Sequence, residues 1–395
     1  MKKINTQQKT PKEYINKEKA YAVAKYYGFE GIYAPETTKA DESAAKALKK
    51  PHPDNTAHEL QMPSVENSAS LVRNYLEGTL TKETQPAIVY YETPGNKRGS
   101  KNVHLNILGS TKSIAEATLI KASLAILKEY GHKNLSIEIN SIGDKDSISR
   151  FNKEIVNYFK KNLGALTAPL RQKLAKDPFL FINEENQKLE ELKESMPQVI
   201  SYLNDIAKSH FKEVLEFLEY MNIPYRINNC LVGNRAYSNN TIFRIIENAD
   251  TKLEKTLACG SRLNGLSKKI GLKRDVPATS VMVSIGQPKE SVGSLKTGQL
   301  TKAKFYFIQF GFEAKLKSLE IIDILREAKI SVSQSLSKDK LSAQLGSAEA
   351  QNFPYLLIVG QKEAMDNTVL VRYRDTRSQT AVPVKDLVEY IKKLP

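Results

Sequence analysis

The chain has 395 residues, of which 41% are hydrophobic, so it can bury a large core and should contain two or more domains. Its 59 basic and 44 acidic residues give a formal net charge of +15, which favours an anionic partner such as RNA, although a lysine-rich proteome gives the same excess. Two cysteines are too few for a zinc knuckle or a disulfide framework, and no apolar run reaches the ~20 residues of a membrane-spanning helix, so we expect a cytoplasmic protein without a metal site.

The N-terminal region alternates between periodic and polar stretches. Residues 12–28 predict a helix that ends at a glycine, and residues 29–35 predict a strand. Residues 37–63 are polar, contain three prolines and predict a loop. A second helix is expected at 65–77, with Ser68 as its N-cap.

The middle of the chain predicts a sheet flanked by helices. Its strands are expected at 86–92, 103–109, 135–140, 223–231, 241–246, 257–259 and 281–286, the first two as a hairpin. Its helices are expected at 113–130, 145–162 and over most of 165–220. Strands broken by helices in this order predict an antiparallel sheet in one α+β domain over 1–290, with a helical insertion at about 165–210.

In the last part of the chain, short predicted strands alternate with helices. A linker is expected at 291–303 and a small α/β domain at 304–395. Its strands are predicted at 305–309, 330–334, 355–359 and 368–373, and its helices at 314–328, 341–350 and 384–394.

One segment, Cys230–Phe243, resembles a signature of the histidyl-tRNA synthetases, Leu-Val-Arg-Gly-Leu-Asp-Tyr-Tyr-x-x-Thr-Val-Phe-Glu. The positions that match are Leu231, Val232, Tyr237, Thr241 and Phe243. The arginine that this family places on the activated carboxylate and phosphate is Gly233, the second tyrosine is Ser238, and the closing glutamate is Arg244. The segment therefore keeps the apolar frame of the signature and loses its charged groups.

Further stretches extend the resemblance along almost the whole chain. Residues 24–36 resemble motif 1 of class II synthetases, which builds the homodimer interface in that family, and the predicted hairpin takes the place of motif 2. Residues 260–266 resemble the signature Gly-Gly-Arg-Tyr-Asp-Gly-Leu, and residues 325–330 and 355–363 resemble the anticodon-binding domain. The resemblance implies a class II catalytic-type domain, a C-terminal anticodon-binding-type domain and a homodimer.

The resemblance also identifies the positions that would handle phosphates. Where the family has Phe-Arg-x-Glu in motif 2 this chain has Tyr90 for the arginine, and where it has Gly-x-Glu-Arg in motif 3 the chain has Lys289. Arginine suits this task because it is always charged and binds two oxygens at once. With Gly233, three family positions lack arginine, so we expect no intact catalytic arginine. ATP and Mg²⁺ are expected only if the chain is active.

Other positions are implied as remnants of binding sites. The substrate pocket would contain Glu66, Ser68, Glu92, Tyr237, Thr241 and Arg262, with Glu66 on the substrate ammonium. For Glu66 the alternative is a solvated helix residue, and for Arg262 it is a structural ion pair. RNA would be bound by Arg372, Arg374 and Arg377, for which the alternative is a solvated strand edge.

These observations predict a histidyl-tRNA synthetase paralogue with lost or reduced amino-acid activation that binds tRNA or another structured RNA. The first alternative is an active, divergent histidine-tRNA ligase. The second is a regulatory subunit of ATP phosphoribosyltransferase, against which residues 304–395 argue because that family normally lacks this domain. The third is an accessory subunit of another nucleic-acid enzyme.

Overall fold

The computed structural model describes residues 19–49, 62–80, 86–162, 164, 166–176, 187–231, 233, 237–247, 255–286 and 303–394. The start of the helix predicted at 12–28, the end of the loop predicted at 37–63 and nearly all of the linker predicted at 291–303 lie outside these ranges.

The described residues form α-helices and strands in both halves of the chain. The helices are α1 (Lys19–Tyr26), α2 (Lys39–Lys49), α3 (Val65–Leu76), α4 (Ile114–Glu129), α5 (Lys145–Asn162), α6 (Ala168–Lys176), α7 (Gln187–Glu194), α8 (Asp205–Tyr220), α9 (Leu266–Lys269), α10 (Phe312–Glu327), α11 (Leu341–Ala350), α12 (Gln361–Asp366) and α13 (Leu387–Lys392). The strands are β1 (Glu30–Gly31), β2 (Ala87–Pro94), β3 (Lys101–Leu108), β4 (Leu135–Ser141), β5 (Tyr225–Ile227), β6 (Asn239–Glu247), β7 (Lys255–Arg262), β8 (Ala278–Ile285), β9 (Phe305–Gln309), β10 (Val332–Gln334), β11 (Tyr355–Val359), β12 (Thr368–Tyr373) and β13 (Gln379–Pro383). Short 3-10 helices lie at Val199–Tyr202 and Val384–Asp386.

The chain divides into two compact units. The first unit contains the described parts of residues 1–35, 77–132 and 284–395. The second unit contains those of residues 36–76 and 133–283.

The first unit contains a hairpin and a five-stranded sheet. Strands β2 and β3 pair antiparallel from Ala87 opposite Leu108 to Pro94 opposite Lys101, and β1 runs parallel to β2. The C-terminal sheet has the order β10-β9-β11-β12-β13, in which the first three strands are parallel and β12 and β13 are antiparallel to their neighbours. Strands β9 and β11 are buried along their whole length, as expected for the centre of an α/β sheet.

Polar contacts attach the C-terminal sheet and its helices to the N-terminal part of the first unit. The hydroxyl of Tyr27, which is fully buried just after α1, donates to Asp323 Oδ1 on α10 at 2.7 Å. Lys121 Nζ on α4 lies 2.8 Å from Asp323 Oδ2, and Ser110 Oγ donates to the carbonyl of Leu336 at 2.8 Å. Burial opposes ionisation of Asp323, but Lys121 and Tyr27 outweigh it and hold the pKa of that carboxyl below its usual value.

The second unit is built on five strands in the order β8-β7-β6-β4-β5. Neighbouring strands are antiparallel except β4 and β5, which are parallel. Helices α5, α6 and α7 share a hydrophobic core with Leu231 and Ile242. Helix α8 buries Phe211, Val214 and Phe217 at helical spacing. The unit is an antiparallel sheet flanked by helices, as the sequence predicts.

The loop prediction over 37–63 is wrong for its first half, where α2 forms. Asp41 accepts hydrogen bonds from the backbone and hydroxyl of Thr38 at 2.9 and 2.8 Å, which caps the helix, and from Arg73 of α3 at 3.0 Å. Ala45 provides the buried contact. The helix was missed because its apolar residues are alanines, whose helical spacing is easily overlooked in a polar segment that contains prolines.

Several other boundaries differ from the prediction. Ser64 rather than Ser68 caps α3, because its hydroxyl accepts from the backbone of Asn67 at 3.1 Å while Ser68 is buried. The strand predicted at 29–35 is limited to β1, and the strand at 223–231 to β5, after which Asn228 accepts from the backbone of Cys230 and forms a turn. Helix α12 and strand β13 were not predicted. None of the described helices is long and apolar enough to cross a membrane.

Candidate functional site

In the motif 2 hairpin, the position of the family arginine holds a buried phenol. Tyr90 and Glu92 are two residues apart on β2 and therefore face the same side, where the Tyr90 hydroxyl hydrogen-bonds the Glu92 carboxylate. The other carboxylate oxygen of Glu92 accepts from Lys101 Nζ of β3 at 3.0 Å. The ring of Tyr21 lies 5.2 Å from the Tyr90 ring. The two predicted site residues are thus brought together, and Glu92 is engaged by the hairpin itself.

The next residue pair on the hairpin is also buried and uncharged. The rings of Tyr91 and His104 stack with centroids 4.4 Å apart, and Thr93 Oγ1 lies 2.9 Å from His104 Nε2. Burial lowers the pKa of His104 to about 4, so the imidazole is neutral at neutral pH. The buried pairs on both faces of β2 are therefore made of neutral rings, and a phosphate would meet no guanidinium at either one.

In the second unit, the backbone at Gly233 does not suit the arginine of the family signature. Gly233 has φ +57°, in the left-handed region. A Cβ at this position would lie 2.8 Å from Ile242 Cδ1 and 3.1 Å from Ser238 Oγ, closer than real Cβ contacts allow without movement. Residues 232 and 234–236 lie outside the described ranges. A larger residue at position 233 would require the side chains of Ile242 and Ser238 to move.

Two residues that differ from the family signatures contact each other. Ser238 stands where the signature at residues 230–243 has its second tyrosine, and Ser261 stands where the signature at residues 260–266 has its second glycine. Their buried hydroxyls lie 3.1 Å apart. Tyr237, which matches the family, is buried and donates to the carbonyl of Pro63 at 3.2 Å. Thr241, which also matches, is fully buried, and its hydroxyl has no hydrogen-bond partner among the described residues. The matching residues have buried positions in the unit, and the two serines contact each other.

The closing glutamate of the signature is Arg244, and its charge is balanced on the neighbouring strand. Arg244 of β6 lies opposite Glu138 of β4 and hydrogen-bonds its carboxylate. Arg226 Nε donates to the same carboxylate at 2.7 Å and Asn228 Nδ2 at 2.9 Å. Burial opposes ionisation of Glu138, but these donors, Arg244 first, lower its pKa to about 2. This cluster was not predicted from the sequence, although an acid within an apolar strand opposite an unexpected arginine was a usable signal.

Arg262, at the end of β7, is fully buried and is the largest side chain in that state among the described residues. The strand-to-helix turn implied by the sequence follows it. Asn264, which replaces the aspartate of the family, donates its backbone N–H to Asn239 Oδ1 at 3.1 Å, and its own side chain accepts from the backbone of Ala278 at 3.2 Å. Gly265 at φ +83° starts α9. The signature turn is kept with neutral side chains.

The remaining predicted site residues lie apart from these clusters. Glu66 is half-buried in the first turn of α3, and Ser68 is buried on the same helix. Arg372 lies on β12, Arg374 directly follows that strand and Arg377 lies in the turn before β13, so the three line one hairpin. Arg374 Nε donates to Asp375 at 2.9 Å, and Arg377 is exposed. Lys289 lies outside the described residues.

The described positions do not fit a nucleoside triphosphate held in the family manner. Gly233 has no side chain, the Tyr90 hydroxyl contacts Glu92, and Lys101 is paired with the same carboxylate. Lys97 and Arg98 in the hairpin turn are exposed cations nearby in sequence. Across the described ranges, no three His, Cys, Asp or Glu side chains converge as metal ligands.

Comparisons with known proteins agree with the architecture. A family model described as "Anticodon binding domain" matches residues 304–394. The chain is 26% identical over 340 residues to the histidine--tRNA ligase of Bacillus licheniformis, covering 83% of this chain and 80% of that protein. It is 28% identical over 344 residues to the ligase of Halalkalibacterium halodurans, covering 83% and 79%.

A solved structure extends the likeness to the whole fold. Apo histidyl-tRNA synthetase of S. aureus superposes with a TM-score of 0.50 at 20% identity, covering 94% of this chain and 93% of that one. The shared architecture is an antiparallel sheet with flanking helices and a C-terminal anticodon-binding domain. The chain is thus similar to class II histidine--tRNA ligases over about four fifths of its length and carries an anticodon-binding domain at its C-terminus.

Proposed function

We propose that this chain is a histidyl-tRNA synthetase relative that has lost or greatly reduced amino-acid activation and acts by binding tRNA or another structured RNA. The observation that carries the proposal is the local structure at Gly233. Its positive φ and a built Cβ 2.8 Å from Ile242 Cδ1 favour glycine there over the longer side chain that the family uses.

Energetics support the loss of activation. Charge moves onto oxygen when the α-phosphate is attacked, and preorganised cations stabilise that charge in the transition state. Removal of a single such contact typically costs about 3 kcal/mol, or roughly a hundredfold in rate. At Tyr90 and Gly233 two contacts are absent together, and Lys289 offers a point charge in place of a bidentate guanidinium at the third position.

Charge and domain content support the RNA partner. Residues 304–395 contain fourteen basic and eleven acidic residues, so this domain supplies about +3 of the net charge of +15. Most of the basic excess therefore lies in residues 1–303. We infer that RNA contacts both the anticodon-binding-type domain and the larger part of the chain, mainly through its phosphates.

We also propose that the chain is cytoplasmic and forms a homodimer through the motif 1-like segment around residues 14–35. The exposed aromatic ring of Tyr33 in that segment supports an interface there. Light scattering on the purified chain should give twice the monomer mass. A stable species near 44.3 kDa at micromolar concentration would contradict the dimer.

Filter binding with total tRNA tests the proposed activity. If several phosphates are contacted, affinity should fall by a factor of ~10³ or more as salt rises from about 50 to 200 mM. Absence of binding at low salt would refute the proposal.

The second candidate function is that of an active, divergent histidine-tRNA ligase. It is favoured by the two curated ligases, which this chain matches over about four fifths of their length. Histidine-dependent exchange of pyrophosphate into ATP would separate it from the first proposal. Loop cations such as Lys97 or Arg98 would then have to take the place of the missing arginines.

A further inference from the structure

The loop between β7 and β8, residues 263–277, is cross-linked by its own side chains. Asp275 Oδ1 accepts from the backbone of Gly265 at 3.1 Å and from Ser267 Oγ at 3.0 Å. Ser267 Oγ in turn accepts from the backbone of Val276 at 3.0 Å. Asn264 is bonded to Asn239 of β6, which fixes the start of the loop to the sheet. The loop is therefore held in one conformation by bonds at both of its ends.

This loop carries four exposed cations, and Lys145 at the start of α5 in the same unit is exposed as well. We name the set the basic turn cluster, and its members are Lys145, Lys268, Lys269, Lys273 and Arg274. Partial burial of Lys269 is the larger cause that lowers its pKa, and the charge of Lys145 adds to it. Within the loop the one carboxylate is Asp275, whose Oδ2 lies 3.9 Å from Lys268 Nζ.

Beside Lys145 the neighbouring acids are Asp144 and Asp146. Asp144 accepts from the backbone of Ser147 at 2.9 Å and from Asn204 Nδ2 at 2.8 Å, so it is engaged in the cap of α5 and the contact with α8. Asp146 is exposed. Cations outnumber carboxylates in the cluster, and two of its three acids already accept hydrogen bonds from neutral groups.

We propose that the basic turn cluster is an RNA-backbone contact surface of this chain, an inference that rests on the proposed RNA binding and locates part of it in the second unit. A rigid loop binds with a smaller loss of conformational entropy than a mobile one. Residues 263–277 contain no aromatic side chain, so the loop offers no platform for stacking bases. Its contacts are therefore with phosphates and carry little sequence preference.

The test replaces three lysines of the cluster and compares the result with a matched change. The variant Lys268→Gln/Lys269→Gln/Lys273→Gln removes three charges from the loop. The control Lys153→Gln/Lys160→Gln/Lys161→Gln removes three charges from exposed positions of α5 in the same unit. The two variants have the same net charge, so a difference in their affinity for tRNA shows that the location of the removed charges matters.

Filter binding of total tRNA is measured at several salt concentrations. The cluster variant should bind at least about tenfold more weakly at ~100 mM salt, and the slope of log K against log salt should flatten by about 2 relative to the unaltered chain. The control should change affinity by less than about threefold. Thermal unfolding of each variant checks that it is folded. If the triple variant does not fold, the double variant Lys273→Gln/Arg274→Gln takes its place in the binding measurement.

The outcomes separate this inference from the function on which it rests. If the unaltered chain binds no tRNA at low salt, both proposals fail. If it binds and the cluster variant behaves like the α5 control, RNA binding stands and the assignment of this surface is overturned.

Discussion

The arginines of the C-terminal hairpin and those in the second unit's sheet are placed in different ways. In the C-terminal domain, Arg372, Arg374 and Arg377 lie along one hairpin and are half-buried or exposed. In the second unit, Arg262 is fully buried, and the fully buried Glu138 is held between Arg244 and Arg226. Surface guanidinium groups can meet a polyanion, whereas the groups around Glu138 are occupied with each other. This difference is compatible with the proposed RNA binding through surface residues, and the predictions below test it.

Several residues of the second unit that differ from the family signatures have polar partners on neighbouring strands. Ser238 and Ser261 depart from the family at two separate signatures and contact each other at 3.1 Å. Arg244 reverses the charge of the family residue and meets Glu138 on the adjacent strand. A site that had only decayed would leave unpaired groups at such positions, and the cost of burying them would destabilise the fold. Each of these residues therefore has a polar partner in the fold as it stands.

The largest effect in this comparison should come from Glu138→Ala. The change leaves Arg244 and Arg226 without their shared carboxylate, and breaking such a buried pair costs about 3 kcal/mol of the free energy of unfolding. The control is Glu320→Ala, whose carboxylate is 42% exposed in a surface pair with Lys317 and should cost less than about 1 kcal/mol. Equal shifts in Tm for the two variants would contradict the expected difference between the buried cluster and the surface pair.

The same carboxylate gives the pH dependence of that effect. The pKa of Glu138 is lowered from 4.5 to about 2, so its contribution to stability is complete above pH 4.5 and is lost as the pH falls towards 2. The difference in Tm between the unaltered chain and Glu138→Ala should therefore shrink between about pH 6 and pH 3. A difference that is independent of pH would show that the carboxylate is not ionised in this cluster.

A smaller effect is expected from the glycine that replaces the catalytic arginine. Gly233→Ala should destabilise the chain by about 1–3 kcal/mol, because it combines a left-handed backbone with a contact at 2.8 Å. Gly78→Ala is the matched control, since Gly78 has φ +71° and an added methyl group there would meet nothing within 4 Å. Thermal unfolding should show a clearly larger loss at position 233. Similar losses of stability at positions 233 and 78 would mean that the positive φ alone, and not the contact with Ile242, causes the effect.

In the first unit, Asp323→Asn should loosen the attachment of α10 to α1 and α4. The change removes the charge that strengthens the bonds from Tyr27, Lys121 and Arg326 but keeps an amide that can still bond, so the total loss should be about 1–2 kcal/mol. Hydrogen exchange of the amides around residues 24–28 and 320–326 should accelerate. Glu327→Gln, at a 72% exposed carboxylate, is the control and should leave exchange unchanged. Protection equal to that of the unaltered chain would show that these bonds do not hold the elements together.

The smallest effect concerns the hairpin arginines. Reversing the charge at Arg372, Arg374 and Arg377 should weaken tRNA binding by about tenfold, because three phosphate contacts are lost if this domain reads RNA. The measurement is a filter-binding titration at fixed salt. Binding indifferent to the triple variant would confine RNA to the rest of the chain.

Much of the fold was predictable because its elements have strong periods or strong turns. Helix α5 and the β2–β3 hairpin follow from apolar spacing and the intervening polar loop, and the resemblance supplied the architecture. Helix α2 was missed although Thr38 and Asp41, three residues apart, form a capping pattern that can be read from the sequence. Its bond between Asp41 and Arg73 joins distant residues and leaves no local pattern.

The candidate site was only partly predictable for the same reason. Alignment with the family signatures identified Tyr90 and Gly233, but not the partners that now surround them. That the Tyr90 hydroxyl meets Glu92, or that Ser238 meets Ser261, depends on which strands are neighbours and on side-chain direction. A prediction from sequence can therefore name the missing groups, whereas the structure shows what occupies their places.

Histidine-dependent exchange of radiolabelled pyrophosphate into ATP tests the central claim most directly. The unaltered chain, supplied with ATP, Mg²⁺ and histidine, should give no exchange above a blank without enzyme, and Gly233→Arg alone should not restore it, because Tyr90 also stands where the family has an arginine. Exchange by the unaltered chain that is clearly above the blank and requires histidine would contradict the account.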